Sequence, residues 1–197
     1  MAIFLDQNSR IIVQGMTGGE GMKHTARMLA SGATIVGGVN ARKAGTSAHF
    51  DSGDQPVFGS VKEAIDKTGA NVTVLFVPPP FAADSILEAA EAGIETIICI
   101  TEGIPAHDEM RVFNHPKTVH PSTKLIGPNC PGVLSPGKAN VGIIPASFFK
   151  PGNVGVVSRS GTLTYQIGNE LAQRGFGNST IVGIGGDPVP GSSFIDI

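Results

Sequence analysis

A chain of 197 residues is long enough to bury a sizeable core and lies between one domain and two. Hydrophobic residues at 41% against 15% charged exclude a disordered chain, and a formal net charge of -2 removes the electrostatic footprint of a nucleic-acid binder. The two cysteines, Cys99 and Cys130, form no C-x-x-C pair, which argues against a disulfide framework and for a reducing compartment such as the cytoplasm. No apolar window reaches membrane-spanning length, and Met1 to Asp6 carries no basic leader.

In chain order, the β-branched run Ile11-Ile12-Val13 ends at Gly15, glycines recur at Gly18, Gly19 and Gly21, and Met22, Ala26 and Leu29 follow at helical spacing. This predicts a strand, a tight turn and an amphipathic helix. Glycines let backbone approach a ligand, and the helix N-terminus favours an anion, so a phosphate-bearing ligand is the first expectation. The spacing is G-x-x-G-x-x-G rather than the G-x-G-x-x-G fingerprint, and the turn alone fits a plain connection with no ligand equally well. Gly32 stops the helix, and Thr34 to Val39 reads as a second buried strand. Its tip offers Asn40, Arg42 and Lys43 where an NAD site has an acidic residue. A basic tip suits an extra ribose phosphate, as in NADP or the 3′-phosphate of coenzyme A; two solvated loop charges are the plain alternative.

Ala44 to Gln55 is expected to be a mobile loop. Ser60-Val61-Lys62-Glu63 is a capping-box pattern that opens a short helix with Val61, Ala64 and Ile65 inward. Val72 to Val77 predicts a strand stopped by a stiff wall of Pro78, Pro79 and Pro80. A helix from Ala82 to Ala92, a strand from Thr96 to Ile100, a helix from Asp108 to Asn114 and a strand from Lys124 to Gly127 complete an alternation that predicts a parallel sheet with helices on both faces. Ligands bind such sheets at the carboxyl ends of the strands. Gly15 to Gly21, Asn40 to Lys43, Pro78 to Pro80, Thr101-Glu102 and Asn129-Cys130 should therefore line one crevice.

The character of the chain changes near Lys150-Pro151-Gly152. Val154 to Val157 starts a strand, Ser158 to Thr164 leads into a helix ending near Arg174, and this small-residue turn is a second candidate anion site. Ile181 to Ile184 is the next strand, leaving through Gly185-Gly186-Asp187-Pro188. The expected division is 1–149 and 150–197. The second unit is too short to cover both faces of a sheet, so either the span is a fragment or a partner chain supplies the missing layer. Gly132 to Lys138 reads G-x-x-x-x-G-K, but Ala139 stands where a P-loop needs Ser or Thr, and Val141 to Ile144 looks extended. The five histidines show no ligand spacing, so no metal site is assigned. His24 reads as a packing or surface residue, and Cys130 as crevice lining rather than a nucleophile.

Six segments then occur in order: Gln14-Gly15-Met16-Thr17-Gly18, Val36-Gly37-Gly38-Val39-Asn40, Ile100-Thr101-Glu102-Gly103-Ile104-Pro105, Gly127-Pro128-Asn129-Cys130-Pro131-Gly132, Ser158-Arg159-Ser160-Gly161-Thr162-Leu163-Thr164-Tyr165 and Gly183-Ile184-Gly185-Gly186-Asp187-Pro188. With them the chain resembles the succinyl-CoA synthetase (succinate-CoA ligase) α-subunit family over essentially its whole length. The malate-CoA ligase subunit is also similar, and these motifs do not separate the two. The resemblance implies an α/β fold: a Rossmann-like CoA-binding domain with a parallel sheet, then the first part of a flavodoxin-like ligase domain. It also implies a nucleotide-binding β subunit as partner, in a heterodimer or heterotetramer, in the cytoplasm or, in a eukaryote, the mitochondrial matrix.

Carried over by position, Thr17, Gly18, Gly19 and Glu20 would meet CoA in the first turn, and Lys43 would hold a CoA phosphate. Ile100, Thr101 and Glu102 would line the cofactor, Tyr165 would lie near the carboxylate substrate, and Ser160, Gly161 and Thr162 would steady a phosphate. In the family, phosphate passes from ATP or GTP, bound with magnesium on the partner subunit, to a histidine and then to succinate, and the CoA thiol attacks the acyl phosphate. That histidine lies in a Gly-His-Ala-Gly segment which this span lacks, together with its acidic support. The span is therefore expected to bind CoA without being phosphorylated, to hold no catalytic residue, and to be inactive alone. A non-catalytic CoA-binding or sensor module is the alternative from another class, and an NADP-dependent reductase would share the basic tip.

Overall fold

Three short runs, β1 (Ile11–Gln14), β5 (Val72–Leu75) and β6 (Thr96–Cys99), are buried at every position, as strands covered on both faces must be. They form the centre of a sheet ordered β3-β4-β2-β1-β5-β6-β7, with β2 (Ile35–Val39), β3 (Ser47–Ala48), β4 (Gln55–Phe58) and β7 (Lys124–Ile126) outside them. All pairings are parallel except β3 with β4. The computed structural model of the chain describes residues 3–197.

Side chains alternate across the central strands. Ile11 and Val13 face a core shared with Met28 of α1 (Gly19–Ala30), while Ile12 joins the opposite core under α2 (Val61–Thr68), α3 (Pro79–Glu91) and α4 (Ala106–Val119). No helix among the described residues is long and apolar enough to cross a membrane. The expected capping box forms in part: Ser60 Oγ accepts from Glu63 N–H, while the Glu63 carboxylate reaches back to Gly59 N–H.

A second sheet, ordered β10-β11-β8-β9, is built from the antiparallel hairpin β8 (Gly132–Ser135) and β9 (Ala139–Gly142) and the parallel pair β10 (Pro151–Ser158) and β11 (Asn178–Gly183). It takes two strands from before position 150 and two from after it. The hairpin lies where a P-loop would need a helix. β9 packs on α1, where Gly142 N–H meets Met28 Sδ at 3.3 Å, and α5 (Gly161–Gln173) covers β10 and β11.

Four expectations need correction. Ala44 to Gln55 is not a structureless loop, because β3 pairs with β4 in it and β4 extends the main sheet. Pro79 and Pro80 are no wall: they form the first turn of α3, where the missing N–H groups have no intrahelical partner to lose. Helix α4 spans Ala106–Val119, longer at both ends than expected. The inward face of α1 is Gly21, His24, Thr25 and Met28, with Met22 and Leu29 at its margin and Ala26 exposed.

Candidate functional site

The parallel register places every strand tip named in the sequence on one edge of the sheet. β1 is bonded to β2 on one side and β5 on the other, and the connections from β1 and β5 leave to opposite faces, so a crevice opens between them. The turn after β1 is drawn tight there. At Gly15, with φ +81°, an added Cβ would stand 2.6 Å from the Phe76 carbonyl oxygen, and at Gly21 it would stand 2.1 Å from the Gly15 carbonyl oxygen. Neither position can carry a side chain without moving backbone.

This crevice is a cleft of ≈ 420 Å³ with Gly18, Gly19 and Glu20 on one wall and Val77, Ile100 and Thr101 opposite. Thr101 is fixed by its hydroxyl, which donates to Val77 O at 2.8 Å. Glu20 is exposed and holds Lys23 at 3.3 Å and His24 Nε2 at 3.1 Å, and the Lys23 hydrogen bond and charge lower its pKa. His24 stacks on Phe76 with centroids 5.4 Å apart and planes 3° from parallel. Burial, then the charge of Arg27, lowers its pKa, so the ring is neutral at pH 7 and packs as expected.

A second cleft opens at Thr17 and the β2 tip and is lined by Lys43, Thr46, Ser47 and His49. Asn40 holds Thr17, which lines this cleft, against the β2 tip. Its amide donates to Thr17 Oγ1 at 2.7 Å and its carbonyl accepts from Arg42 N–H at 3.0 Å.

On the other side, Ile100 is shared with a third cleft of ≈ 330 Å³ lined by Glu102, Asn129, Cys130, Arg159, Gly161 and Tyr165. Burial raises the Tyr165 hydroxyl pKa, which keeps it a neutral hydrogen-bonding group. Arg159 gives its guanidinium to the carbonyls of Gly185, Gly186 and Asp187, and Asn129 donates to Asp187 Oδ1 at 2.8 Å. The cysteines are neighbours, with Cys130 Sγ donating to Cys99 O at 3.2 Å, and both thiols are buried. Burial pushes Cys99 up to about 12 and Cys130 higher still, so neither is a thiolate nucleophile at neutral pH.

The expected site residues other than Ser160 and Thr162 thus line three clefts. Gly18, Gly19 and Glu20 face Ile100 and Thr101 in the first, Thr17 meets Lys43 in the second, and Glu102 meets Tyr165 and Gly161 in the third. Ser160 is occupied as the N-cap of α5: its Oγ accepts from Leu163 N–H, and its N–H donates to Ser158 Oγ. Thr162 is exposed beside it. Sequence reasoning missed Phe76 as the partner of His24, the clamp made by Arg159, and His49. The basic residue inside Ser-Arg-Ser-Gly was the available signal for Arg159; Phe76 carried none.

A CoA binding domain family matches residues 6–103. The succinate-CoA ligase [ADP-forming] subunit alpha 2 of Archaeoglobus fulgidus is 53% identical over 197 residues, all of this chain and 67% of its own length. The malate-CoA ligase subunit alpha of Methylorubrum extorquens is 49% identical, again over the full chain and 66% of its own. Among solved structures, ATP citrate lyase from Methanothrix soehngenii in complex with citrate and coenzyme A superposes with a TM-score of 0.83 at 26% identity, covering 98% of this chain and 34% of that one. The chain spans about two thirds of the length of the curated relatives it matches. A crevice at the carboxyl edge of the sheet, a matching CoA-binding family and full-length identity near one half together place the chain in the succinate-CoA ligase α-subunit family.

Proposed function

We propose that this chain supplies the CoA site of a succinate-CoA ligase, with a CoA-binding unit at 1–149 that lends the β8–β9 hairpin to the sheet of the ligase part opening at 150–197. The observation that carries this reading is the set of three clefts at the strand tips, two of which share Ile100 while the third opens at Thr17, next in the chain to Gly18. Lys43 lines one outer cleft, the glycine turn the middle one and Tyr165 the other outer one. Such an arrangement suits an elongated nucleotide with charged phosphates at one end and a thiol at the other. Thr17, Gly18, Gly19 and Glu20 receive the middle of the ligand, and Lys43 takes a phosphate. Ile100, Thr101 and Glu102 guide the pantetheine arm, and Tyr165 meets the carboxylate substrate. Gly161 and the α5 N-terminus, with Ser160 as its cap and Thr162 beside it, steady a phosphate through backbone N–H groups and the helix dipole.

In the whole enzyme, phosphate from ATP or GTP, held with magnesium on a β subunit, passes to a histidine beyond this span and then to succinate. The CoA sulfur then attacks the acyl phosphate and inorganic phosphate leaves. The reaction belongs to the assembled protein in the cytoplasm, and the span alone has no ligase activity. The malate-CoA ligase relative favours malate as a second substrate reading.

Calorimetric titration of the chain with CoA tests the site. CoA should bind and NADPH should not, and Lys43→Ala should weaken CoA by one charge-assisted contact, about 1.5–3 kcal/mol. No heat with CoA would end the proposal, and an unchanged affinity in the variant would remove Lys43 from it.

A further inference from the structure

The hairpin beside Lys43 brings a second titratable side chain to the same cleft. β3 and β4 pair with Ser47 opposite Pro56 and Ala48 opposite Gln55, so the next rung of the ladder sets His49 against Asp54. There His49 Nδ1 lies 2.7 Å from Asp54 Oδ1, and the turn between them is closed by Gly53 N–H donating to Phe50 O at 2.9 Å. The base of the hairpin is tied to the β2 tip in turn. Gly45 N–H donates to Val57 O, Val57 N–H to Thr46 O, and Thr46 Oγ1 to Lys43 O. His49 and Lys43 are therefore held by one bonded frame around a cavity of ≈ 360 Å³ that Thr17, Thr46 and Ser47 also line.

The proton positions follow from the partners. A carboxylate only accepts, so Nδ1 carries a proton toward Asp54. The neutral ring would then present a lone pair at Nε2, whereas the imidazolium presents an N–H. A phosphate group at Nε2 selects the imidazolium. Among the described residues, Lys43 on the β2 tip lines the same cavity as the ring and Asp54, before β4, pairs with it, and the Asp54 carboxylate does not line the cavity.

The geometry points to His49 as a specificity-determining residue of the CoA site: oriented by Asp54, it donates from Nε2 to the ribose phosphate that Lys43 meets, and so separates CoA from dephospho-CoA. The inference rests on reading the β2 tip as the phosphate end of the site. All the residues it varies lie on the exposed hairpin, away from the core.

The test is calorimetric titration of the 197-residue chain with CoA and with dephospho-CoA at pH 7 and pH 8.5. The wild type should prefer CoA, and more strongly at pH 7. His49→Ala should lower the preference about tenfold at pH 7 and flatten its pH dependence. Asp54→Asn should lower it about threefold through loss of ring orientation. His49→Arg should restore a preference that no longer varies with pH, since guanidinium stays charged. Equal preference in wild type and His49→Ala, with CoA still bound, would overturn the role of His49 and leave the site standing. Failure of the wild type to bind either nucleotide would overturn the site and this inference with it.

Discussion

Glu109 is the residue whose ionisation departs furthest toward neutral pH. It is buried on α4, and its carboxyl faces that of Asp187 at the exit of β11. Burial first, and the Asp187 carboxyl second, raise its pKa to about 7, against an opposing hydrogen bond from Val189 N–H. Among the described residues neither Glu109 Oε2 nor Asp187 Oδ2 has a hydrogen-bond partner, which fits a Glu109 carboxyl that keeps its proton in this buried position. The folded pKa lies above the unfolded value near 4.5, so the folded state holds the proton more tightly. The stability this contributes is complete below about pH 4.5 and is lost as pH rises through about 7. Because Asp187 is half-buried, solvent screening reduces the effect to about 1 kcal/mol, or roughly 2–4 °C in Tm. Thermal melts of the wild type should therefore fall between pH 5 and pH 8 relative to Glu109→Gln, which keeps a donor toward Asp187 and cannot ionise. Parallel Tm profiles for the two proteins would show that Glu109 holds its proton no more tightly in the fold than in the unfolded chain.

At the scale of elements, α5 is fixed to the second sheet through a glycine. A Cβ at Gly168 would stand 2.0 Å from Cε1 of Phe149, a ring that is itself buried. Gly168→Ala gains helix propensity but must push that ring out of its core, so it should destabilise by about 1–3 kcal/mol as overpacking does. Urea unfolding reads this directly, and a variant as stable as the wild type would mean that Phe149 has room to turn. The helices and central strands were legible because their signals are local. β1, β5 and β6 are apolar β-branched runs, Ser60 and Glu63 mark a helix start, and Gly32, Gly93 and Gly175 stop helices in the left-handed region. β3 and β4 were not legible, since Gln55–Phe58 contains a proline and Ser47–Ala48 is two residues long, and only their partners make them strands. The face of α1 was misread for the same reason: Met28 is drawn inward by β9, far away in the chain. In the site, the glycine turn and Lys43 could be read from one strand-helix-strand unit, β1-α1-β2, and its tip. His49 and the Glu109–Asp187 pair depend on hairpin register and on contact between distant segments, and one sequence carries neither.

At the scale of the molecule, the two sheets share their interior. One core cluster contains Val13, Met28 and Ile98 from the first layer system together with Val133, Val141, Val182 and Ile184 from the second. The loop after β7 is also stitched to the exit of β11: Gly186 N–H donates to Asn129 O at 3.2 Å, Gly191 N–H to Gly127 O at 2.7 Å, and Ser192 Oγ to Leu125 O at 2.8 Å. Opening either sheet would expose apolar surface of the other, so the chain should unfold in one transition. CoA in the proposed site, across the first sheet and the α5 N-terminus, would bear on both. A ligand that binds only the folded state at a hundred times its Kd adds about 2.7 kcal/mol, which for a chain of this length is a rise of roughly 5–10 °C in Tm. Scanning calorimetry should therefore show a single endotherm that moves upward as a whole on addition of CoA. Two endotherms of which only one moves would mean that the second sheet, with Tyr165 and Arg159, stands apart from the cleft and takes no share in holding the ligand.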